Sequence, residues 1–326
     1  MFTTSKTPPK AEYSFCYAKK PISGNVINGL GETEVRRPRV VFHSGDYSVE
    51  WADLEFLFHN ISTSKEVFKV IWMKWQHRKK DGFVAQNRRS VSDTASTTEE
   101  IKKLAKELGI TIFGVTPLDQ QYVFEGIERP YINAICLGMP MDRKEMTHVT
   151  NPRGSLEIME TYRRVGHAAV SLAKHIRKMG WPARAIAGME ATDLLHIPLA
   201  ANAGLGQLGK HGSLINLQHG SNLRLSTVLT DLPLKLNSPI DIGVEDFCTY
   251  CQICTKACPA GAISPKKQWV RGTKRWYVDF DKCVPYFCAN YACGICIEVC
   301  PWSEAGRGKL ISKKMMARRE IKSECQ

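Results

Sequence analysis

Nine of the chain's twelve cysteines lie between Cys248 and Cys300. Their spacing carries chemistry. Cys248-x2-Cys251-x2-Cys254-x3-Cys258-Pro259 is the run in which three close thiolates wrap three corners of a cubane and the fourth is carried away to a second cluster. A later run, Cys293-x2-Cys296-x3-Cys300-Pro301, has no cysteine three residues before Cys293, so its missing corner comes from further off. Cys283 and Cys288 both qualify. Cys283 is preferred, because WYVDFDKC reads as a strand that would deliver it. The expected sets are Cys248, Cys251, Cys254 and Cys300 for one cluster, and Cys258, Cys283, Cys293 and Cys296 for the other. Separated CxxC pairs would suit a zinc ribbon, whereas these two runs favour two [4Fe-4S] clusters.

A second motif, Gly204-Leu-Gly206-Gln-Leu-Gly209, matches GxGxxG. A dinucleotide fingerprint needs a strand before it and a helix after it. Here a helix precedes the glycines, and Lys210-His211-Gly212 leads into SLINL, a strand. The loop is instead expected to let the backbone pass close to a large flat cofactor.

Composition sets the frame for these sites. The chain has 326 residues, 43% of them hydrophobic and 24% charged, which excludes a mostly disordered polymer and suggests about two domains. No apolar stretch approaches the ~18 residues of a membrane span. Lys+Arg less Asp+Glu is 45 − 32 = +13. Two cubanes at about −2 each would reduce this to roughly +9, so basicity remains for an acidic partner, an anionic surface or nucleic acid. The start, MFTTSKTPPKAEYSF, lacks a charged segment followed by an apolar one, and no apolar run follows Arg36-Arg37 or Arg88-Arg89. The expected location is cytoplasmic, with membrane association as the alternative. Clustered thiols there hold metal rather than pair.

The elements that must position these residues begin after an N-terminal extension, 1–98, that is hard to read and ends in the polar, linker-like FVAQNRRSVSDTASTTEE. Thr97-Thr98-Glu99-Glu100 opens a helix with Ile101, Leu104, Ala105 and Leu108 on one face. ITIFGV and YINAICLGM read as strands. Residues 155–180 form a long helix with the stripe Ile158, Val165, Ala169, Leu172 and Ile176. ARAIAG is a strand, DLLHIPLAANAG a helix, and SLINL and RLSTVLTDL are strands. The pattern predicts an α/β or α+β domain over 99–238, a ferredoxin-like two-cluster domain over 239–304, and a basic, weakly helical tail over 305–326. The tail is either a solvated helix or a docking segment for an acidic electron donor or an anionic membrane.

PLAANAGLGQLGKHGSLINLQHGSNLRLSTVLTDLPL, then FCTYCQICTKACPAGAI, then RWYVDFDKC and CGICIEVCPW, resemble the reductive dehalogenase catalytic subunit over about 100–304. The resemblance implies a nitroreductase-like domain that binds cobalamin base-off and is fed by two [4Fe-4S] clusters. No Asp-x-His-x-x-Gly is present to supply a lower histidine to cobalt, and Asp193-Leu-Leu-His196 does not have that spacing. Epoxyqueuosine reductases share the architecture. They usually carry an Asp proton donor and a helical-repeat domain after the clusters.

The resemblance also assigns residues. The proton donor corresponds to Tyr162, and the cation on the substrate side to Arg224. Lys210 is a second cation near the loop. Gly204, Gly206, Gly209 and His211 fall to the cofactor. Where many relatives have Gly-Asn-Asp, this chain reads GMEATD, which leaves the substrate open. Breaking a carbon–halogen bond reductively takes two electrons and a proton. Clusters pass electrons singly, so a two-electron reservoir such as cobalamin is needed beside the substrate. Tyr162 would give the proton and a neighbouring cation would stabilise the phenolate left behind. Glu190 and Asp193 are the fallback donors. The implied partners are a small organohalide and a one-electron donor of ferredoxin or flavoprotein type, with peripheral membrane contact through the tail and no DNA. Two rivals stay open: reduction of a tRNA-bound epoxide, and a non-catalytic iron–sulfur electron-transfer protein.

Overall fold

The computed structural model describes residues 28–42, 51, 54, 63–188 and 193–324. Cys16, Cys325 and Glu190 lie outside them. A four-stranded sheet organises the first half: β1 (Ile112–Pro117), β2 (Asn133–Pro140), β3 (Ala183–Ile186) and β6 (Leu223–Thr230), in the order β1-β2-β6-β3. All three pairings are antiparallel. That decides the α+β form of the expectation, since no parallel crossover unit exists in this sheet. The two central strands are buried almost end to end: β2 is nearly all apolar, while β6 also buries Ser226, Thr227 and Thr230.

One face of the sheet carries α3 (Pro152–Lys178), capped by the Asn151 side chain on the Arg153 amide and opened by Pro152. Its stripe of Val165, Ala169, Leu172 and Ile176 packs with α2 (Thr94–Glu107) on Ile135, Leu137 and Val228. The other face takes α4 (His196–Asn202), whose Leu199 and Ala200 meet Ala134, Cys136 and Leu229. Beyond α4, two short strands, β4 (Gln207–Leu208) and β5 (Leu214–Ile215), close the glycine loop.

The cysteine-rich part is built from α5 (Val244–Tyr250), α6 (Ile253–Ala257), α7 (Phe280–Ala289) and α8 (Ile295–Glu298). The last helix, α9 (Arg307–Glu324), lies on it. Met315 of α9 is buried, and its Cβ sits 2.5 Å from where a Cβ on Gly243 would be.

Several expectations change. The polar stretch 83–100 is not all linker, because Asp93 caps α2 and the helix begins at Thr94. The segment 64–77 is helical (α1, Ser64–His77), held by a Thr63–Glu66 capping box that the reading missed. Within the N-terminal extension, residues 28–42 bind to the rest of the chain. Arg37 donates to the carbonyls of Val123, Phe124 and Ile127, and Asn28 Nδ2 donates to Asp281 at 2.6 Å. This segment straps both halves together. The strand expected at WYVDFDKC is absent at Cys283, which lies on α7. Among the described residues no helix is long and apolar enough to cross a membrane.

Candidate functional site

The structure brings the cysteines of the two runs into two neighbouring quartets. Burial pushes the Cys248 thiol up to about 12, with Cys300, Cys254 and Cys251 adding to the rise. Burial likewise pushes Cys283 up to about 12, and there the neighbours are Cys293 and Cys258. Cys296, partly buried, is raised well above the ordinary thiol by burial and then by Cys293 and Cys283. Cys254 also raises Cys296, so the quartets adjoin. Backbone amides point at the sulfurs: Lys210 at Cys248, Gly294 and Ile295 at Cys293, and Ala262 at Cys258 with N···S 3.4 Å. Such N–H···S contacts offset thiolate charge and tune a cluster's potential. Among the described residues no three His, Cys, Asp or Glu side chains converge on a point as a single ion needs. Cys288 is fully buried in an apolar cluster with Trp51, Leu54, Met141, Met146 and Val284.

Around Cys293 the backbone is unusual. Tyr291, Ala292 and Cys293 have φ of 49°, 64° and 38°, followed by Gly294 at 91°. Three successive non-glycine residues in the left-handed region cost of order 1–3 kcal/mol each. The turn aims the amides of Gly294 and Ile295 at sulfur.

The second site lies where β3 ends. β3 pairs with β6 only as far as Ile186 with Thr227, so Leu223–Ser226 present an edge that β3 does not cover. A cavity of about 230 Å³ opens there, lined by Tyr162, Gly188, His196, Ser213, Ser221 and Arg224 among others. The Arg224 guanidinium carbon lies 5.1 Å from the Tyr162 ring centroid. Arg224 Nη1 donates to its neighbour's carbonyl, Leu223 O, at 3.3 Å, while the buried Nε has no hydrogen-bond partner. Among the described residues no carboxylate pairs with Arg224, so a strand arginine in an apolar run keeps its charge for something else. Gly188 makes the packing feasible: a Cβ there would lie 2.3 Å from Leu225 O and 2.8 Å from Tyr162 Cδ1.

His196 is a cavity residue that the reading passed over. Its Nδ1 shares a 2.8 Å hydrogen bond with Thr227 Oγ1, its buried Nε2 has no partner, and burial lowers its pKa to about 4. It is therefore neutral near pH 7. A histidine inside the apolar run LLHIPLA was the only available signal.

The other assigned residues lie elsewhere. Lys210 is almost fully buried, donates from Nζ to Cys251 O at 2.7 Å and sits 4.7 Å from the Trp276 ring centroid. It serves the first thiol quartet and does not line the cavity of Tyr162 and Arg224. The glycines pack against the chain on one side. Cβ atoms on Gly204 and Gly206 would strike Ser238 O at 2.6 Å and Ile215 O at 2.2 Å, and one on Gly209 would meet Ile215 and His211. Their missing side chains make room for the chain itself. His211 is buried, its Nδ1 accepts from the Ser213 amide at 3.2 Å, its Nε2 is unpaired, and burial lowers its pKa to about 4. Asp193 is committed structurally. Burial pushes its carboxyl up, but Arg129 at 2.7 Å and Arg184 at 3.2 Å outweigh that and hold it below the ordinary carboxylate range.

Residues 247–303 match the family model described as a 4Fe-4S dicluster domain. The chain is 26% identical over 260 residues to the tetrachloroethene reductive dehalogenase of Sulfurospirillum multivorans, covering 65% of this chain and 51% of that one. It is 33% identical over 125 residues to the epoxyqueuosine reductase of Leadbetterella byssophila, covering 33% of this chain and 37% of the relative. Among solved structures, a reductive dehalogenase for which a B12-dependent mechanism is suggested superposes with a TM-score of 0.70 at 24% identity, over 76% of this chain and 39% of that chain. The chain thus spans about half the length, or less, of the curated relatives it matches.

Proposed function

We propose that this chain is a B12-dependent reductive dehalogenase, replacing the halogen of a small organohalide with hydrogen. The observation that carries the proposal is the Tyr162–Arg224 pair on the open edge of β6, a proton source beside a cation that has no carboxylate partner among the described residues. The two thiol quartets and the dicluster match support the electron supply. The likeness to reductive dehalogenases supports the reaction class.

The reaction balances as one C–X bond and two electrons and a proton going to one C–H bond and halide. Tyr162 Oη holds the proton. Arg224 offers its Nε to the departing halide or to a polar substituent on the substrate, and its charge stabilises the phenolate that remains. His196 is neutral and keeps a second polar atom on the cavity wall. The apolar walls, Leu194, Leu223 and Leu225, exclude water from the reacting carbon.

Cobalamin, when bound, supplies the two-electron reductant. The cavity volume suits a substrate and is far too small for a corrin, so the corrin needs other residues. His211 Nε2 and Asn222 Oδ1, buried and unpaired beside Ser213 and Ser221, fit the amides that rim it. Gly204, Gly206 and Gly209 shape that loop from behind, and the domain is the nitroreductase-like unit of the resemblance. Each quartet would hold one [4Fe-4S] cluster, with the amides named above on the sulfurs.

Anaerobic reconstitution tests the proposal. About eight iron, eight sulfide and one corrinoid per chain are expected, with halide released from a panel of chlorinated and brominated phenols and ethenes under titanium(III) citrate. Conversion of epoxyqueuosine in tRNA without halide release would move the chain to the epoxide-reducing relatives. Full iron without bound corrinoid would leave an electron-transfer protein.

A further inference from the structure

We infer that the groove between α6 and α9 is the docking site for an acidic one-electron carrier of the ferredoxin type. The inference deepens the proposed function by naming the class of electron donor, and it rests on the two-cluster reading. The groove holds about 730 Å³. Its apolar floor includes Phe247, Ile311 and Met315, and Tyr250, Ile253 and Leu310 are exposed at 72%, 46% and 69%. Lys256, Arg307, Lys314 and Arg318 also line it, and no acidic residue does.

Two features make this a place for electrons to enter. Cys251, a member of the first quartet, lines the groove, so a carrier seated there lies against a cluster ligand rather than against inert protein. The charge is available as well. Arg307 is paired with Glu304, and Arg319 outside the groove is paired with Asp241 and Asp246. Lys256, Lys314 and Arg318 have no ion-pair partner among the described residues. The paired arginine pins α9, and the unpaired cations face solvent around an apolar centre. An apolar centre with a charged rim is the anatomy of a transient protein interface, where complementary charge chiefly raises the association rate. The step itself moves one electron from the reduced carrier to the oxidised cluster held by Cys248, Cys251, Cys254 and Cys300, and no proton is transferred.

The experiment uses the full, anaerobically reconstituted chain and a reduced plant-type [2Fe-2S] ferredoxin, an acidic protein. Stopped-flow bleaching of the cluster absorbance gives the second-order rate. Lys314→Glu with Arg318→Glu should slow it roughly 10–100-fold at low salt, with the difference closing at high salt. Leu310→Ser should slow it at both. Reduction by titanium(III) citrate should be unchanged in all variants, which shows that the clusters are intact. Lys103→Glu with Lys106→Glu on α2 changes net charge equally and should have less than about a two-fold effect. The inference is overturned by an unchanged ferredoxin rate in the groove variant, by an equal effect in the α2 variant, or by groove-dependent binding to anionic vesicles with no effect on the ferredoxin. Normal ferredoxin-to-cluster transfer without halide release would instead sink the dehalogenase reading and leave the docking site standing.

Discussion

Tyr162 and Arg224 meet because one side chain leaves α3 and the other leaves β6 at the point where β3 stops. Tyr162→Phe keeps the ring against Gly188 and removes the transferable proton. Iron and corrinoid content should survive, since one hydroxyl contributes about 1 kcal/mol net. Dehalogenation turnover should fall ~10²–10⁴-fold. Wild-type-like turnover would move the proton to another group, and the carboxylate of Asp193 is already held by two arginines. Arg224→Lys should be milder than Arg224→Ala, because a cation remains without the planar fork. His211 gives a pH signature. Burial lowers its folded pKa to about 4, below the ordinary 6.5, so the unfolded chain binds the extra proton first. Its contribution is complete above pH 6.5 and is lost as pH falls toward 4. Between pH 7 and 5 this amounts to about 2 kcal/mol. Denaturant midpoints at the two pH values should converge by that amount in His211→Gln. An identical pH dependence in the variant would mean that His211 is hydrated.

At the scale of elements, α7 and the left-handed turn after it place Cys283, the proposed fourth ligand of the second cluster, near Cys293 and Cys258. Cys283 sits one turn from the start of α7 and faces Cys293 and Cys258. Cys288, nearer its end, is turned into an apolar core. Cys283→Ser should therefore lose about four of eight irons. Cys288→Ser should keep all of them and cost about 1–3 kcal/mol for a hydroxyl buried in apolar surroundings. Iron and sulfide assays of the two variants check this directly, and the reverse pattern would invert the ligand assignment. Gly188→Ala belongs to the same scale. Its Cβ has only 2.3 Å to a carbonyl oxygen, so the end of β3 or the Tyr162 ring must shift. Turnover should drop while cluster content holds.

Across the whole molecule, two straps hold the sheet domain and the cysteine-rich part together. The first is the 28–42 segment. The second is α9, which closes over α5 through Met315 and brings Gly308 against the Leu217 carbonyl of the sheet domain. The basic tail is thus half interface and half surface. Removing it whole would expose Val244 and Trp302 and confound any test of docking. Met315→Ala should destabilise the chain by about 2–5 kcal/mol, with a lower unfolding midpoint and faster proteolysis of α9. An unchanged midpoint would mean that α9 is held by its ion pairs alone.

The cluster chemistry was legible in the sequence because it depends on local spacing: CxxCxxCxxxCP places thiols within a few residues, whatever the rest of the chain does. The long amphipathic α3 and the apolar strands β2 and β6 were legible for the same reason, since periodicity is a property of neighbours. Tertiary structure decided what depends on residues far apart. Cys283 lies near Cys258 across 25 positions, and its place on α7 follows from the burial of that helix's Val284 and Cys288 among the distant Trp51, Leu54, Met141 and Met146. Lys210, read beside the glycines as a catalytic cation, points to Cys251 because the loop folds back on the first quartet. His196 enters the cavity only because α4 lies across the exposed edge of β6. Burial and charge partnership are sums over three-dimensional neighbours, and no one-dimensional pattern contains them.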